Sequence, residues 1–131
     1  MKYLGLDYGL KRVGVAVSDE TNSFAFPLQV LENTGNLIED ISLICKDNSV
    51  TEIVVGQSLD FAQEENEIMK EIVPFVKNLE EKLGLPISMH PEFLTSQEAD
   101  RLQGRNNMRD ASAAAIILKS YLDLKNNSLK N

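Results

Sequence analysis

The stretch that decides the fold is KYLGLDYGLKRVGVAVS, residues 2–18. It starts as a short strand that ends at Asp7, continues into a turn over Tyr8–Lys11, and then alternates strictly from Arg12 to Ser18. The valines on one face of this second segment are Val13, Val15 and Val17. The pattern predicts that an antiparallel hairpin opens the chain.

The face of the hairpin that carries Asp7 is predicted to carry only small residues beside that carboxylate. If Asp7 pairs with Arg12 across the turn, Gly5 lies opposite Gly14, and small residues line the face beside the carboxylate. Glycine weakens a strand and marks a place where another group approaches the backbone. That group is either a packed helix or a substrate backbone, and the regular spacing of the small residues favours the substrate.

The rest of the chain alternates helices and strands. The further strands are expected at residues 24–31, 52–56 and 86–90. The helices are expected at residues 36–45, 62–83, 95–102 and 108–124. Three early strands followed by this alternation predict an α/β domain over residues 1–131, with a mixed five-stranded sheet and helices on both faces.

Four local signals refine these elements. Pro27 predicts that the third strand lies at an edge or contains a bulge. Asn36 followed by Glu39 is typical of a capping box at the start of a helix. Pro74 should kink the long helix, and Gly84 should end it.

The net charge of −7 is unfavourable for a nucleic-acid partner, but it is unevenly distributed. Eleven acids and four bases lie between Glu39 and Lys82, and the remaining chain is balanced. Its clustered bases, the candidate nucleic-acid-binding residues, are Lys11, Arg12, Arg101, Arg105 and Arg109. The alternative is that these are scattered, solvated surface charges.

The composition, 43% hydrophobic and 25% charged, is that of a globular protein. Because no apolar run reaches the ~20 residues of a membrane span and the chain opens directly on a strand pattern, we expect neither a membrane anchor nor a signal peptide. Cys45 is the only cysteine and lies among apolar residues. It predicts a buried thiol in a reducing compartment, the cytoplasm.

Two further acids are candidates for a site shared with Asp7. Glu92 follows the last predicted strand, and Asp110 begins an alanine-rich helix. The alanines would let that helix lie close to the sheet, which could bring Asp110 near Asp7. The alternative for Asp110 is an acid favoured by the helix dipole.

Residues 5–16, GLDYGLKRVGVA, resemble the opening motif of the YqgF/RuvX family of Holliday-junction-resolvase-like pre-16S rRNA nucleases. The resemblance continues through residues 53–56 (IVVG), 92–96 (EFLTS) and 110–118 (DASAAAIIL). It implies an RNase H-like fold, a cytoplasmic location and a role in maturing the 5′ end of 16S rRNA. By analogy with that fold, the metal-binding catalytic carboxylates would be Asp7, Glu92 and Asp110. Pro91 and Phe93 replace an acid and an arginine that are usual in the family.

The chemistry that follows from such a site is phosphodiester hydrolysis. Carboxylates without cysteine or histidine prefer Mg²⁺ or Mn²⁺, and a pair of such ions activates water and stabilises the leaving oxygen. Arg12, with Lys11, would hold a phosphate. His90 is the only histidine, so no other nucleophile–histidine arrangement competes, and a structural role is favoured for it over a phosphate contact.

Three other functions stay open at this point. They are a DNA resolvase acting on Holliday junctions, a non-catalytic RNA-binding ribosome-assembly factor, and an actin-like or sugar-kinase ATPase. The ATPases share the Asp-x-Gly turn but need two such domains, for which 131 residues are too few. The expected partner is a nucleic acid, with precursor rRNA favoured over branched DNA, and ribosomal particles are a further expected partner. The chain itself is expected to be a monomer or a homodimer.

Overall fold

The structure is a computed structural model that describes residues 2–58, 69–92 and 109–129. The strands are β1 (Tyr3–Tyr8), β2 (Arg12–Ser18), β3 (Ala25–Glu32), β4 (Glu52–Ser58) and β5 (Ile87–Glu92). The helices are α1 (Leu37–Asp47), α2 (Met69–Leu83) and α3 (Arg109–Leu129). Side chains are described at residues 2–56, 70–90 and 111–126.

The five strands form one sheet in the order β3-β2-β1-β4-β5. β1 pairs with β2, and β2 with β3, in antiparallel fashion, because short turns join them. β4 pairs in parallel with both β1 and β5, since longer connections precede β4 and β5. The predicted mixed five-stranded sheet is confirmed.

Helices cover both faces of the sheet, as predicted. One face packs against α1 and α2 through a core that includes Leu4, Leu6, Val13, Val15, Ile41, Ile53 and Leu79. The other face packs against α3 through Tyr3, Ala16, Val54, Ala114, Leu118 and Leu122. The strand alternation seen in the sequence therefore separates two cores.

The register of the first hairpin differs from the prediction. Asp7 lies opposite Gly14, two positions further along β2 than Arg12. The turn lies over residues 9–12, one residue further along the chain than predicted, and within it Gly9 folds against Arg12, whose carbonyl oxygen would stand 2.6 Å from a β-carbon on Gly9. Since the shift is even, every side chain stays on its predicted face.

β3 confirms both readings of Pro27. It is an edge strand, and its register with β2 shifts where Val15 pairs with Gln29 but Ala16 pairs with Pro27. The prediction of a capping box at Asn36 is wrong. Asn36 precedes α1 without a side-chain capping bond, and its backbone N–H donates to the hydroxyl of Thr34 instead.

The end of α2 agrees with its prediction, whereas the ends of β5 and α3 differ. Gly84 ends α2 with φ +68°, as expected, and its N–H donates to the Glu80 carbonyl at 2.9 Å. β5 extends through Pro91 to Glu92, and proline is tolerated because β5 lies at an edge of the described sheet. α3 continues past Leu124 to Leu129. The predicted helix at 95–102, and residues 62–68 of the long helix, lie outside the described residues.

Cys45 is buried in the α1 core, as predicted. Burial raises the pKa of its thiol to about 11, so the thiol is protonated at neutral pH. Within the described ranges, no helix is long and apolar enough to cross a membrane.

Candidate active site

Asp7 lies near the carboxyl end of β1, half-buried, on the face that α3 covers. Two positions earlier, a β-carbon on Gly5 would stand 2.8 Å from the Cβ of Leu118 and 3.0 Å from the carbonyl oxygen of Ala114. The group that approaches the backbone of Gly5 is therefore the packed helix. The prediction that substrate explains this glycine is wrong.

α3 runs antiparallel to β1. At the start of β1, the Tyr3 hydroxyl accepts a hydrogen bond from Lys125 Nζ at 2.6 Å. Two strand residues later, Gly5 lies against Leu118 and Ala114. Moving toward Asp7 along the strand therefore means moving toward the N-terminus of the helix, and the first turn of α3 lies at the Asp7 end of β1.

A polar network fastens the far end of α3 to the sheet. The Tyr121 hydroxyl donates to Glu52 Oε2 at 3.2 Å, and Lys125 Nζ lies 3.9 Å from the same carboxylate oxygen. The hydrogen bond to Tyr3 raises the pKa of Lys125. These contacts set the direction of the helix over β1.

The turn between β1 and β2 presents Lys11 and Arg12, both exposed. Asn33, which directly follows β3, holds this turn from outside. Its side-chain Nδ2 donates to the Gly9 carbonyl at 2.8 Å, and its backbone N–H donates to the Lys11 carbonyl at 2.9 Å. Asn33 could not be identified from the sequence, because only the pairing of Glu32 with Arg12 shows that Asn33 lies beside the turn.

For the other two predicted carboxylate residues, the structure describes the position of the backbone. Glu92 is the last residue of β5 and pairs with Ser58 of β4. Like Asp7, it lies at the carboxyl end of its strand, on the same side of the sheet's parallel part. Asp110 is the second residue of α3. Their side chains, and that of Arg109, lie outside the described side chains, and Arg101 and Arg105 lie outside the described residues. Among the side chains that are described, no three histidines, cysteines or acids are grouped to hold a metal.

His90 is a satisfied structural histidine. Its Nε2 shares a hydrogen bond of 2.9 Å with Ser120 Oγ, and its ring lies 6.1 Å from that of Tyr121. Burial lowers the pKa of His90, which favours the neutral ring. These contacts support the structural interpretation over a phosphate contact.

The sequence model of the RuvX family, described as Holliday junction resolvases, matches residues 1–124. Similar proteins named "Putative pre-16S rRNA nuclease" span almost the whole chain. The one from Lawsonia intracellularis is 36% identical and covers 94% of each chain. The one from Maridesulfovibrio salexigens is 34% identical over 93% of this chain and 98% of its own. These matches confirm the resemblance drawn from the motifs.

Two solved structures share the architecture at low sequence identity. Thermus thermophilus RuvC in complex with a Holliday junction has a TM-score of 0.63 and 15% identity over 95% of this chain and 96% of its own. The fowlpox virus resolvase with Holliday junction DNA has a TM-score of 0.60 and 12% identity over 95% and 99%. At such identities the likeness shows the fold alone, and it confirms the RNase H-like fold.

Proposed function

The chain belongs to the RuvX family, and from this premise we propose that it is a metal-dependent nuclease in the 5′-end processing of precursor 16S rRNA. In this function residues 1–131 would form one nuclease domain that acts in the cytoplasm on the rRNA of ribosomal particles. The observation that carries it is the antiparallel run of α3 over β1.

The direction of this run supports a position for Asp110 near Asp7. Two strand residues rise about 6.6 Å, and four helix residues rise about 6 Å. The step along β1 from Gly5 to Asp7 therefore corresponds to about one turn of α3 toward its N-terminus. One turn before Ala114 is Asp110. We therefore expect Asp110 to lie close to Asp7 along the helix–sheet interface.

Glu92 completes the proposed set from the neighbouring parallel strands. The pairing of Ser58 with Glu92 continues that of Gly56 with His90, whose ring contacts α3. Because strand residues alternate, we expect position 92 to share that face. β4 alone separates β1 from β5, so the two backbones lie roughly 10 Å apart, a distance that side chains and bound ions can span.

The donor set fits a hard divalent ion. Cys45, the only cysteine, is buried in the core on the α1 side of the sheet, and His90 is bonded to Ser120. Carboxylate oxygens then remain, and these suit Mg²⁺ or Mn²⁺. Asp7, Glu92 and Asp110 would hold the ions, which when bound supply positive charge at the attacking water and the leaving oxygen.

In this proposal, lysine and arginine side chains bind and orient the phosphate backbone of the nucleic-acid substrate. Lys11 and Arg12 stand at the turn just beyond Asp7. A guanidinium presents paired N–H donors that match two phosphate oxygens, whereas an ammonium acts as a point charge. Arg109 opens α3 beside Asp110, and Arg101 and Arg105 precede it in sequence. Together they would offset the net charge of −7 at this edge.

The test is cleavage of labelled precursor 16S rRNA, junction DNA and single strands, with Mg²⁺, Mn²⁺ or chelator. We expect metal-dependent cleavage of precursor rRNA, and its loss in Asp7→Asn and Asp110→Asn with the circular dichroism unchanged. Asp123→Asn is the matched control, because Asp123 is an exposed acid of α3 paired with Lys119. Unchanged turnover in Asp7→Asn would overturn the assignment.

A second candidate is a Holliday junction resolvase, which the description of the matching family favours. Such an enzyme makes symmetric cuts and normally works as a dimer. Paired nicks in junction DNA, with precursor rRNA left intact, would select it. RNA binding without cleavage in any metal would instead select the non-catalytic assembly factor.

A further inference from the structure

We propose that Asn33 is a positioning residue that holds the β1–β2 turn, and with it Lys11 and Arg12, in the shape that binds a phosphate. The inference rests on the proposed function, because it gives those two cations their role. Asn33 itself touches neither the reacting atoms nor the carboxylates in this proposal.

Asn33 bonds to the turn at two points. Its Nδ2 donates to the carbonyl of Gly9 at 2.8 Å, and its backbone N–H donates to the carbonyl of Lys11 at 2.9 Å. One residue thus fixes the orientation of two peptide groups on either side of Leu10. The side-chain bond joins positions 24 residues apart in sequence, so it locks the turn to the end of β3.

Packing contributes little to the shape of this turn. Leu10 is 66% exposed, and Lys11 and Arg12 are exposed as well. At the other side of the turn Gly9 already sits against the Arg12 carbonyl, where no side chain fits. The conformation therefore depends on hydrogen bonds from outside, and the structure shows Asn33 supplying them.

A fixed turn matters for the cations it carries. Lysine and arginine side chains lose conformational freedom when they bind a phosphate, and a mobile backbone adds to that loss. By holding the backbone in advance, Asn33 lowers the entropy lost on binding. We therefore expect Asn33 to act on substrate affinity more than on the chemical step.

The experiment compares Asn33→Ala and Asn33→Leu with wild type in the full-length chain. Leucine keeps the branched arrangement of side-chain heavy atoms of asparagine without its donor, which covers the case in which the alanine variant folds poorly. Asn48→Ala is the matched control, since Asn48 Nδ2 donates to the Ile44 carbonyl at 2.9 Å at the end of α1. The readouts are the affinity for short single-stranded RNA in chelator at several salt concentrations, and kcat and KM with Mn²⁺.

Both Asn33 variants should weaken RNA binding roughly three- to tenfold, the effect of about one hydrogen bond. The dependence of affinity on salt should become shallower, because a mobile turn leaves its cations in contact with phosphate for less of the time, so that fewer counterions are released on average. KM should rise by a similar factor with kcat near wild type, whereas a merely structural loss would leave the salt slope unchanged. Asn48→Ala should match wild type in both.

The two proposals fail in different ways. An unchanged affinity and salt slope in both Asn33 variants would overturn the role of Asn33, even if wild type cleaves RNA. The same change in Asn48→Ala would overturn it too. Absence of cleavage by wild type, together with the expected change in salt slope, would overturn the nuclease proposal and support the positioning role.

Discussion

Gly5 lies directly beneath Leu118: a β-carbon on the glycine would stand 2.8 Å from the Cβ of the leucine. Real Cβ atoms essentially never approach so closely, so β1 and α3 meet at this point only because residue 5 has no side chain. The closeness of the helix to the strand that carries Asp7 depends on that contact.

Gly5→Ala should therefore push α3 away from β1. Forcing a methyl group into a filled interface costs about 2 kcal/mol, which lowers the melting temperature by roughly 8 °C in a domain of this size. Gly35→Ala is the control, because a β-carbon on Gly35 meets nothing within 4 Å. Thermal melts that show equal shifts in the two variants would contradict the tight contact.

Asp7→Asn should reverse its stability relative to wild type when metal is added. In chelator the variant should melt higher, because the three carboxylates of the proposed site would repel one another. In Mn²⁺ wild type should melt higher, since a ligand at a hundredfold excess over Kd stabilises the folded state by ~2.7 kcal/mol. Asp123→Asn should respond to Mn²⁺ like wild type. If Asp7→Asn melts lower in chelator and shifts equally with Mn²⁺, Asp7 is a structural residue.

Replacing each of two buried serines by alanine should change the free energy of unfolding in opposite directions. Ser18 Oγ accepts the buried N–H of Tyr3 at 2.8 Å, so Ser18→Ala should lower the free energy of unfolding by about 1–3 kcal/mol. Ser112 Oγ is buried and makes no hydrogen bond within the described structure. Ser112→Ala should then raise stability by roughly 0.5–1 kcal/mol, because alanine also favours the helix. Urea unfolding measures both, and a clear loss in Ser112→Ala would show that its hydroxyl has a partner.

The Cys45 thiol should make the folded state less stable at high pH. Its pKa is about 11 in the folded protein and 9.0 when unperturbed, so the unfolded chain loses the proton first. The free energy of unfolding should therefore fall as pH rises from 9 to 11, and more steeply in wild type than in Cys45→Ala. Urea unfolding at pH 8 and pH 10 gives this difference. Rapid alkylation of the folded protein at pH 8 would contradict the protonated, buried thiol.

The local order of the chain could be predicted from its sequence because that order depends on neighbours in sequence. The alternating valines of β2 mark a strand with one buried face, and Gly84 adopts the positive φ that ends α2. Asp7 could be singled out in the same way, as an acid at the end of a strand followed by a turn. Glu92 and Asp110 could be named as further candidates from their positions, and the family resemblance implied the metal-binding role of all three.

Other features depend on segments that are distant in sequence, and only the tertiary structure decided them. The position of Asn33 beside the β1–β2 turn follows from the pairing of β3 with β2. Gly5 looked the same in sequence whether a substrate or a helix approached it, because the absence of a side chain does not name its neighbour. The contact of Gly5 with Leu118 and Ala114 settled that question, because no local pattern encodes which helix packs against the strand.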